Sequence, residues 1–183
     1  MPKVEKRVAR KDYPKQGIKK GDTYFYTKLK LQRGGVEKRS LTPFKPSELT
    51  TSPFKSGWLA MEEAWSASDK DAEAMPIAAE TIRELGSEAQ NSFENMPEGL
   101  QQGDTGQKLE ERATSCESAA DELESLASRF EELEEPVEPL DDLETEEENE
   151  IARENFDSDM DEYLSEIEDI KSEADSLIEG MPE

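Results

Sequence analysis

The sequence contains no histidine and a single cysteine, Cys116. Without histidine, the chain lacks the commonest general base and the commonest metal ligand in proteins. With one cysteine it cannot form an intrachain disulfide, which fits a reducing compartment. No nucleophile–base pair is recognisable either, so we expect no enzymatic activity, no catalytic residues, no bound metal and no cofactor.

Apolar residues are also scarce. Only 33% of the residues are hydrophobic, whereas 37% are charged, which is an apolar-poor composition for a compact globule. No apolar run approaches the ~18 residues of a membrane span, and no apolar segment of a signal peptide follows the basic N-terminus. We therefore expect long helices with narrow apolar seams and no association with a membrane.

Positive and negative charges occupy different parts of the chain. Residues 1–55 hold 15 Lys+Arg and 5 Asp+Glu, a net charge of +10, and residues 56–183 hold 7 and 41, a net charge of -34. Such a step separates two electrostatic roles. The basic part should attract phosphate or an acidic surface, and the acidic part should repel nucleic acid and attract basic proteins.

The basic part predicts a flexible arm followed by a β-hairpin. Residues 1–16 have the composition of an arm. In residues 23–42, TYFYTKLKLQ alternates, Arg33-Gly34-Gly35 is a turn signal, and VEKRSLT is the return strand. The alternation predicts one packing face and one basic, aromatic face. The first face carries Phe25, Leu29 and Leu31, and the second carries Tyr24, Tyr26, Lys28 and Lys30.

Helical apolar spacing begins after a proline-bearing joint at residues 42–53. It predicts a first helix from about residue 54, a second near 72–96, a third that follows a loop at 97–106, and a last one after an acidic linker at 134–150. Asp104 or Thr105 should cap the third helix. The seams consist of Phe54, Trp58, Met61 and Trp65; Ala78, Ile82, Leu85, Ala89, Phe93 and Met96; Leu109, Ala113, Cys116, Ala120, Leu123, Ala127 and Phe130; and Phe156, Met160, Tyr163, Ile167, Ile170, Ala174, Leu177 and Met181.

These seams predict a mainly α fold, an antiparallel coiled-coil-like helical bundle with an N-terminal basic β-hairpin. The expected domains are residues 1–46, the arm and hairpin, and residues 47–183, the acidic bundle. Cys116 falls on a seam, which indicates a small core residue rather than a nucleophile.

One acidic stretch imitates a calcium loop. In DSDMDEYLSEIE, residues 157–168, four carboxylates take the spacing of an EF-hand. However, Glu162 stands where that loop needs a glycine, and the apolar heptad runs through the segment. We therefore interpret it as an exposed acidic helix face without a metal.

The basic segment is the candidate nucleic-acid-binding site, because cations neutralise phosphates and tyrosines can stack on bases. Its candidate residues are Lys3, Lys6, Arg7, Arg10, Lys11, Lys19, Lys20, Tyr24, Tyr26, Lys28, Lys30, Arg33, Lys38 and Arg39. An equally weighted alternative is an acidic protein partner, including the chain's own acidic helices, since opposite charges attract.

The acidic helices are expected to dock on a basic protein surface, such as that of a nucleic-acid-handling protein. One alternative is a DNA mimic that inhibits a host nucleic-acid enzyme or a defence nuclease. A second is that the charge only keeps an apolar-poor bundle soluble. A virion structural component is a further alternative.

Two kinds of resemblance accompany these patterns. GDTYFYTKLKLQRGGVEKRSLTPF resembles the three-stranded DNA-binding modules at the N-termini of phage-type tyrosine recombinases. GIKKGDTYFYTKLKLQRGGVEKRSLTPFKPSELT and NMPEGLQQGDTGQKLEERATSCESAADELE, together about a third of the chain, resemble an uncharacterised protein family of tailed phages and prophages. The latter resemblance implies a viral setting in the bacterial cytoplasm and brings no activity and no site residues.

Overall fold

The computed structural model describes residues 2–31, 34–139, 146–180 and 182. The chain divides into two compact units, Met1–Glu63 and Ala64–Glu183. The first contains a small antiparallel sheet, and the second is helical. The division falls inside the first long helix, later than the boundary expected at residue 46.

Three antiparallel strands form the sheet: β1 (Val4–Val8), β2 (Thr23–Lys30) and β3 (Gly35–Ser40), in the order β1-β2-β3. The prediction of a flexible arm at residues 1–16 was therefore wrong, since β1 pairs with β2 along its whole length. The physical reason is this pairing with a distant segment, which the two β-branched valines of VEKRV tolerate well but do not dictate.

The connection from β2 to β3 depends on a glycine. The backbone N–H of Leu31 donates to the Gly34 carbonyl at 3.2 Å, and Gly34 has a φ of 92°, which favours a residue without a Cβ. Gln32 and Arg33 lie outside the described residues, and so does the prediction that Arg33 contacts nucleic acid.

The helix α1 (Pro53–Ser66) buries the seam that its spacing predicted, Phe54, Trp58, Met61 and Trp65. The segment before it is tied down as well. The backbone N–H and Oγ of Ser47 donate to Glu63 at 3.2 and 3.1 Å, and Lys45 pairs with the same carboxylate at 3.2 Å. These bonds fix the short 3-10 helix Pro46–Leu49 against α1.

The second unit contains α2 (Ala74–Glu94), α3 (Glu98–Gln101), α4 (Asp104–Glu132) and α5 (Glu146–Glu179). Arg83 on α2 reaches α4 at Asp121 (2.9 Å) and Glu124 (2.7 Å). Three residues further on, Gly86 faces Cys116, so α2 and α4 run antiparallel. Their shared seam is rich in small buried residues, namely Ala78, Ala79, Gly86, Ala89, Cys116, Ala120 and Ala127.

Two boundaries differ from the prediction. The expected loop at 97–106 contains α3, and α4 begins after Gly103 with no side-chain cap from Asp104 or Thr105. α3 approaches the first turn of α4 closely, since a Cβ on Gly106 would lie 2.0 Å from the Gln101 carbonyl oxygen. The acidic linker is also shorter than expected, since residues 146–150 already belong to α5.

The C-terminal end of α5 is held by several polar contacts. The indole Nε1 of Trp65 donates to Asp175 at 2.7 Å, Lys70 bonds both oxygens of that carboxylate at 2.7 and 2.8 Å, and Arg129 pairs with Glu173 at 3.0 Å. Ile170, Ala174 and Ile178 are fully buried there. Upstream, the predicted seam of Phe156, Met160, Tyr163 and Ile167 is only half-buried, and Met181 lies outside the described residues.

The acidic stretch 157–168 is helical throughout, so it contains no turn that could wrap an ion. Within the described part of the chain, no group of three or more carboxylates or thiols is placed to hold a metal. No described helix is long and apolar enough to cross a membrane.

Candidate nucleic-acid interface

The sheet presents two chemically different faces. Directly opposed residues of antiparallel strands share a face, so the pairing of the strands assigns each residue to one of the two. We call them the Tyr26 face and the Phe25 face. The Tyr26 face carries Lys3, Glu5, Arg7, Tyr24, Tyr26, Lys28, Lys30, Glu37 and Arg39. The Phe25 face carries Val4, Lys6, Val8, Phe25, Thr27, Leu29, Val36, Lys38 and Ser40. The predicted binding residues therefore do not form one surface.

The middle of the Phe25 face packs against the rest of the unit, whereas its valines are exposed. Thr27 and Leu29 are buried, Lys38 donates to the Glu48 carbonyl, and the Lys6 ammonium lies 5.4 Å from the centre of the Phe25 ring. Lys38 thus serves a structural contact, although the sequence placed it among the binding residues.

Tyr24 is buried on the Tyr26 face. The segment between β1 and β2 places Ala9 and Ile18 against it, with Tyr13 and Tyr26 at the edge of the cluster. The Tyr13 and Tyr24 ring centres are 5.8 Å apart. With only 5% of its surface exposed, Tyr24 has no free ring face for a base. Leu31, which was expected to pack, is exposed at the end of β2.

Tyr26 and Tyr13 are stacked with arginines. The Arg7 guanidinium carbon lies 3.7 Å from the Tyr26 ring centre, and that of Arg39 lies 4.7 Å from Tyr13 and 5.5 Å from Tyr26. At such distances the ring quadrupole attracts the cation. The stack places two planar guanidinium groups on one face of the sheet.

Two carboxylates complete this arrangement. Glu5 accepts hydrogen bonds from Nε and Nη2 of Arg7 at 3.1 and 2.7 Å, and these bonds, with help from Lys3, lower the pKa of Glu5. Hydrogen bonds from Arg39 and then Tyr26 lower the pKa of Glu37 in the same way. Both carboxylates are therefore ionised at neutral pH and hold their arginines in place. The Tyr26 face has five cations and two carboxylates, a formal charge of +3.

Lysines extend the positive face beyond the arginines. Lys28 and Lys30 are exposed, and no carboxylate among the described residues lies within 4 Å of either ammonium. The Lys3 side chain is 83% exposed and lies 3.2 Å from Glu5. Lys3 thus shares Glu5 with Arg7, and Lys28 lies opposite Glu37 in the sheet without a direct ion pair. Lys28 and Lys30 are the exposed cations that a ligand could reach most directly, whereas both arginines are already paired.

The remaining predicted residues lie in the segment between β1 and β2. Arg10 lines a groove with Arg7 and Tyr13, and the Lys11 ammonium lies 5.7 Å from the Tyr13 ring centre. The backbone N–H groups of Lys19 and Lys20 donate to Asp22 and Asp12 at 2.7 and 2.6 Å. Their side chains are exposed. The segment covers Tyr24 on the Tyr26 face and brings five further cations, of which Lys15 was not among the predicted residues.

Sequence reasoning missed Tyr13, Glu5 and Glu37. Glu5 and Glu37 each stand two residues from an arginine, a spacing that places both side chains on one face of a strand. That signal was readable once residues 3–8 were recognised as a strand. No comparable local signal exists for Tyr13, because its position depends on how residues 9–22 fold over the sheet.

Comparison with known proteins gave no match to a family model, to a curated protein or to a solved structure.

Proposed function

We propose that the protein is a non-enzymatic interaction protein whose Tyr26 face binds the phosphate backbone of nucleic acid. The observation that carries this proposal is the array of arginines stacked on tyrosines beside the exposed Lys28 and Lys30. The rings and the carboxylates of Glu5 and Glu37 hold the Arg7 and Arg39 guanidinium groups in place, so that these fixed cations add positive charge beside the lysines. A lysine without a carboxylate partner supplies a mobile point charge.

The same geometry favours the backbone over the bases. Base stacking needs an open aromatic face, but Tyr24 is buried and the Tyr26 ring is covered by Arg7 at 3.7 Å. Contacts to phosphate carry little sequence information. We therefore expect binding that is nearly independent of sequence and weakens steeply with salt, because counterions are released when phosphates are neutralised.

The experiment is a titration of labelled DNA and RNA with the full-length protein at two salt concentrations. Lys30→Glu and the double variant Lys28→Glu/Lys30→Glu should weaken binding. They should also flatten the salt dependence, by about one unit of slope for each lysine that no longer neutralises a phosphate. Lys55→Glu is the matched control, because it makes the same charge change in the same unit, at an exposed position on α1 instead of on the sheet. If Lys30→Glu and Lys55→Glu weakened nucleic-acid binding equally, the loss of affinity would follow from net charge alone, and the assignment of binding to the Tyr26 face would be refuted.

A second part of the proposal concerns the acidic unit, which we propose docks on a basic protein surface. Residues 64–183 contain 7 Lys+Arg and 39 Asp+Glu, a net charge of -32, against +8 for residues 1–63. Lys70, Arg83, Arg129 and Lys171 are engaged within the unit, and seven cations could in any case pair with only a minority of its 39 carboxylates. Most carboxylates are therefore left to face outward, and a cationic surface is the partner they fit.

The resemblance to the tailed-phage and prophage family supports a phage setting in the bacterial cytoplasm, where a nucleic-acid-handling protein would supply the basic surface. Inhibition by DNA mimicry makes a distinct prediction within this proposal. If the acidic unit occupied a DNA-binding cleft, duplex DNA would displace it from its partner in competition. Simultaneous binding of DNA and protein would exclude mimicry.

A further inference from the structure

One apolar face of α5 continues far beyond the part that is fully buried. In the last third of the helix this face is closed, with Ile170, Ala174 and Ile178 at most 1% exposed. Upstream, the same helical positions are half-buried, and Leu164 beside them is 53% exposed. We call these upstream residues the α5 stripe; they are Phe156, Met160, Tyr163, Leu164 and Ile167.

The α5 stripe lies beyond the ends of the two helices that pack together in this unit. Arg129 pairs with Glu173, and Lys171 lies near the ring of Phe130, so α4 and α5 run antiparallel at this point. Only three residues of α4 follow Arg129, about 5 Å of helix, whereas α5 extends about 40 Å from Glu173 back to its first residue. Since α2 begins near the level where α4 ends, neither helix is long enough to accompany the stripe. Four of its residues are nevertheless half-buried, and Leu164 is the exposed member on which a ligand could bear directly.

The charges that border the stripe determine which partner fits it. Residues 146–169 contain 12 Asp+Glu and one cation, Arg153. A second copy of the chain would bring two such segments together, and like charges at close range oppose that pairing. A partner with an apolar strip flanked by lysines and arginines would complement both the stripe and its borders.

From this combination we infer that the α5 stripe is the docking surface for a basic amphipathic helix of a partner protein. The inference rests on the proposed docking of the acidic unit on a basic protein, and it specifies the surface and the shape of the ligand. Recognition would place the apolar side of the partner helix along the stripe, with the flanking cations against the carboxylates of α5.

The test uses the full-length protein and two labelled 18-residue peptides made of leucine and lysine. One has leucines at helical spacing on a single face, and the other has the same composition in scrambled order. Leu164→Ser should weaken binding of the amphipathic peptide about fivefold to tenfold, because it removes about half of a leucine side chain from the contact. Ile77→Ser is the matched control, since Ile77 is an exposed apolar residue on α2.

The possible outcomes distinguish a failure of this inference from a failure of the proposed docking of the acidic unit on a basic protein. Selective loss of amphipathic-peptide binding in Leu164→Ser supports the stripe. Equal binding of both peptides, unaffected by Leu164→Ser, would mean docking by charge alone, which overturns the inference and leaves the proposed function standing. Absence of binding by either peptide at low salt would overturn both. A dimer in sedimentation that Leu164→Ser dissociates would identify a second copy as the occupant and overturn the inference.

Discussion

Replacing Gly86 with alanine tests how closely α2 and α4 approach each other, because helix propensity and packing change the free energy of unfolding in opposite directions. Gly86→Ala should stabilise an isolated helix by about 1 kcal/mol, because alanine loses less backbone entropy than glycine. In this protein the added Cβ would lie 2.8 Å from the Cβ of Cys116 and 3.4 Å from the Ala113 carbonyl oxygen. Neither atom can rotate away, because the first is attached directly to the backbone and the second belongs to it.

The helices must therefore separate by roughly 0.7 Å to restore a carbon–carbon contact of about 3.5 Å. A gap of that size forfeits a quarter to a half of the dispersion attraction of the contacts it opens. The seam around it is closed, since Ile82, Ala120 and Leu123 are 0% exposed. Overpacking costs about 1–3 kcal/mol. After the gain in helix propensity, a net loss of about 1 kcal/mol remains, roughly 3–5 °C in the Tm of a unit of this size.

Chemical and thermal denaturation followed by circular dichroism measure this change. Gly99→Ala is the control, because no atom lies within 4 Å of the Cβ that it would add, and it should be neutral or slightly stabilising. A Gly86→Ala protein that is more stable than the wild type by the full propensity gain would show that α2 and α4 do not approach each other as described.

Three further predictions follow from the second unit. Gly106→Ala should cost more than Gly86→Ala in the same melts, because its Cβ would lie 2.0 Å from a backbone oxygen of α3. Asp175→Asn should destabilise the protein at neutral pH. Burial raises the pKa of Asp175, but hydrogen bonds from Lys70 and Trp65 outweigh burial, so that the pKa is lowered in the folded protein. The ionised Asp175 therefore stabilises the fold above the pKa of an aspartate in the unfolded chain, about 3.9. This stabilisation is lost as the pH falls through the pKa of Asp175 in the folded protein. The difference in unfolding free energy between wild type and variant should thus be constant above about pH 5 and shrink in acid, whereas an unchanged difference at pH 3 would contradict it. Cys116 should resist thiol reagents until the protein unfolds, since burial raises the pKa of its thiol to about 11; rapid labelling of the native protein would contradict this.

Much of the helical architecture was predictable because it depends on local periodicity. Apolar residues three and four positions apart identified the buried side of α1, α2 and α4, including Cys116. The same periodicity in α5 predicted a uniform seam, yet burial is complete only from Ile170 onward. Periodicity shows which side of a helix is apolar, but the lengths of its neighbours decide how much of that side is covered.

The parts that were not predictable depend on contacts between distant segments. β1 was missed because its charges dominated the composition of residues 1–16, and only pairing with β2 makes it a strand. Tyr24 has the sequence signature of an exposed stacking residue, but Ala9 and Ile18 cover it from another segment. The binding site predicted from composition therefore contained suitable residues on two opposite faces, and the pairing register was needed to separate them.

The opposite charges of the two units should lower the affinity of the full-length protein for nucleic acid. The basic unit carries +8 and is joined covalently to a unit of -32. We therefore expect the carboxylates of the acidic unit, present at high effective concentration, to compete with phosphate for the Tyr26 face. Screening acts over about 8 Å at physiological ionic strength, and salt therefore weakens this internal competition together with the binding of phosphate. DNA binding by the full-length protein should consequently still weaken with salt, but less steeply than the number of its phosphate contacts alone implies. A partner that neutralises the acidic unit would remove the competition and strengthen nucleic-acid binding without touching the sheet. Measured together, the salt dependence of DNA binding with and without a saturating basic peptide distinguishes this coupling from two independent sites, for which the peptide would leave the slope unchanged.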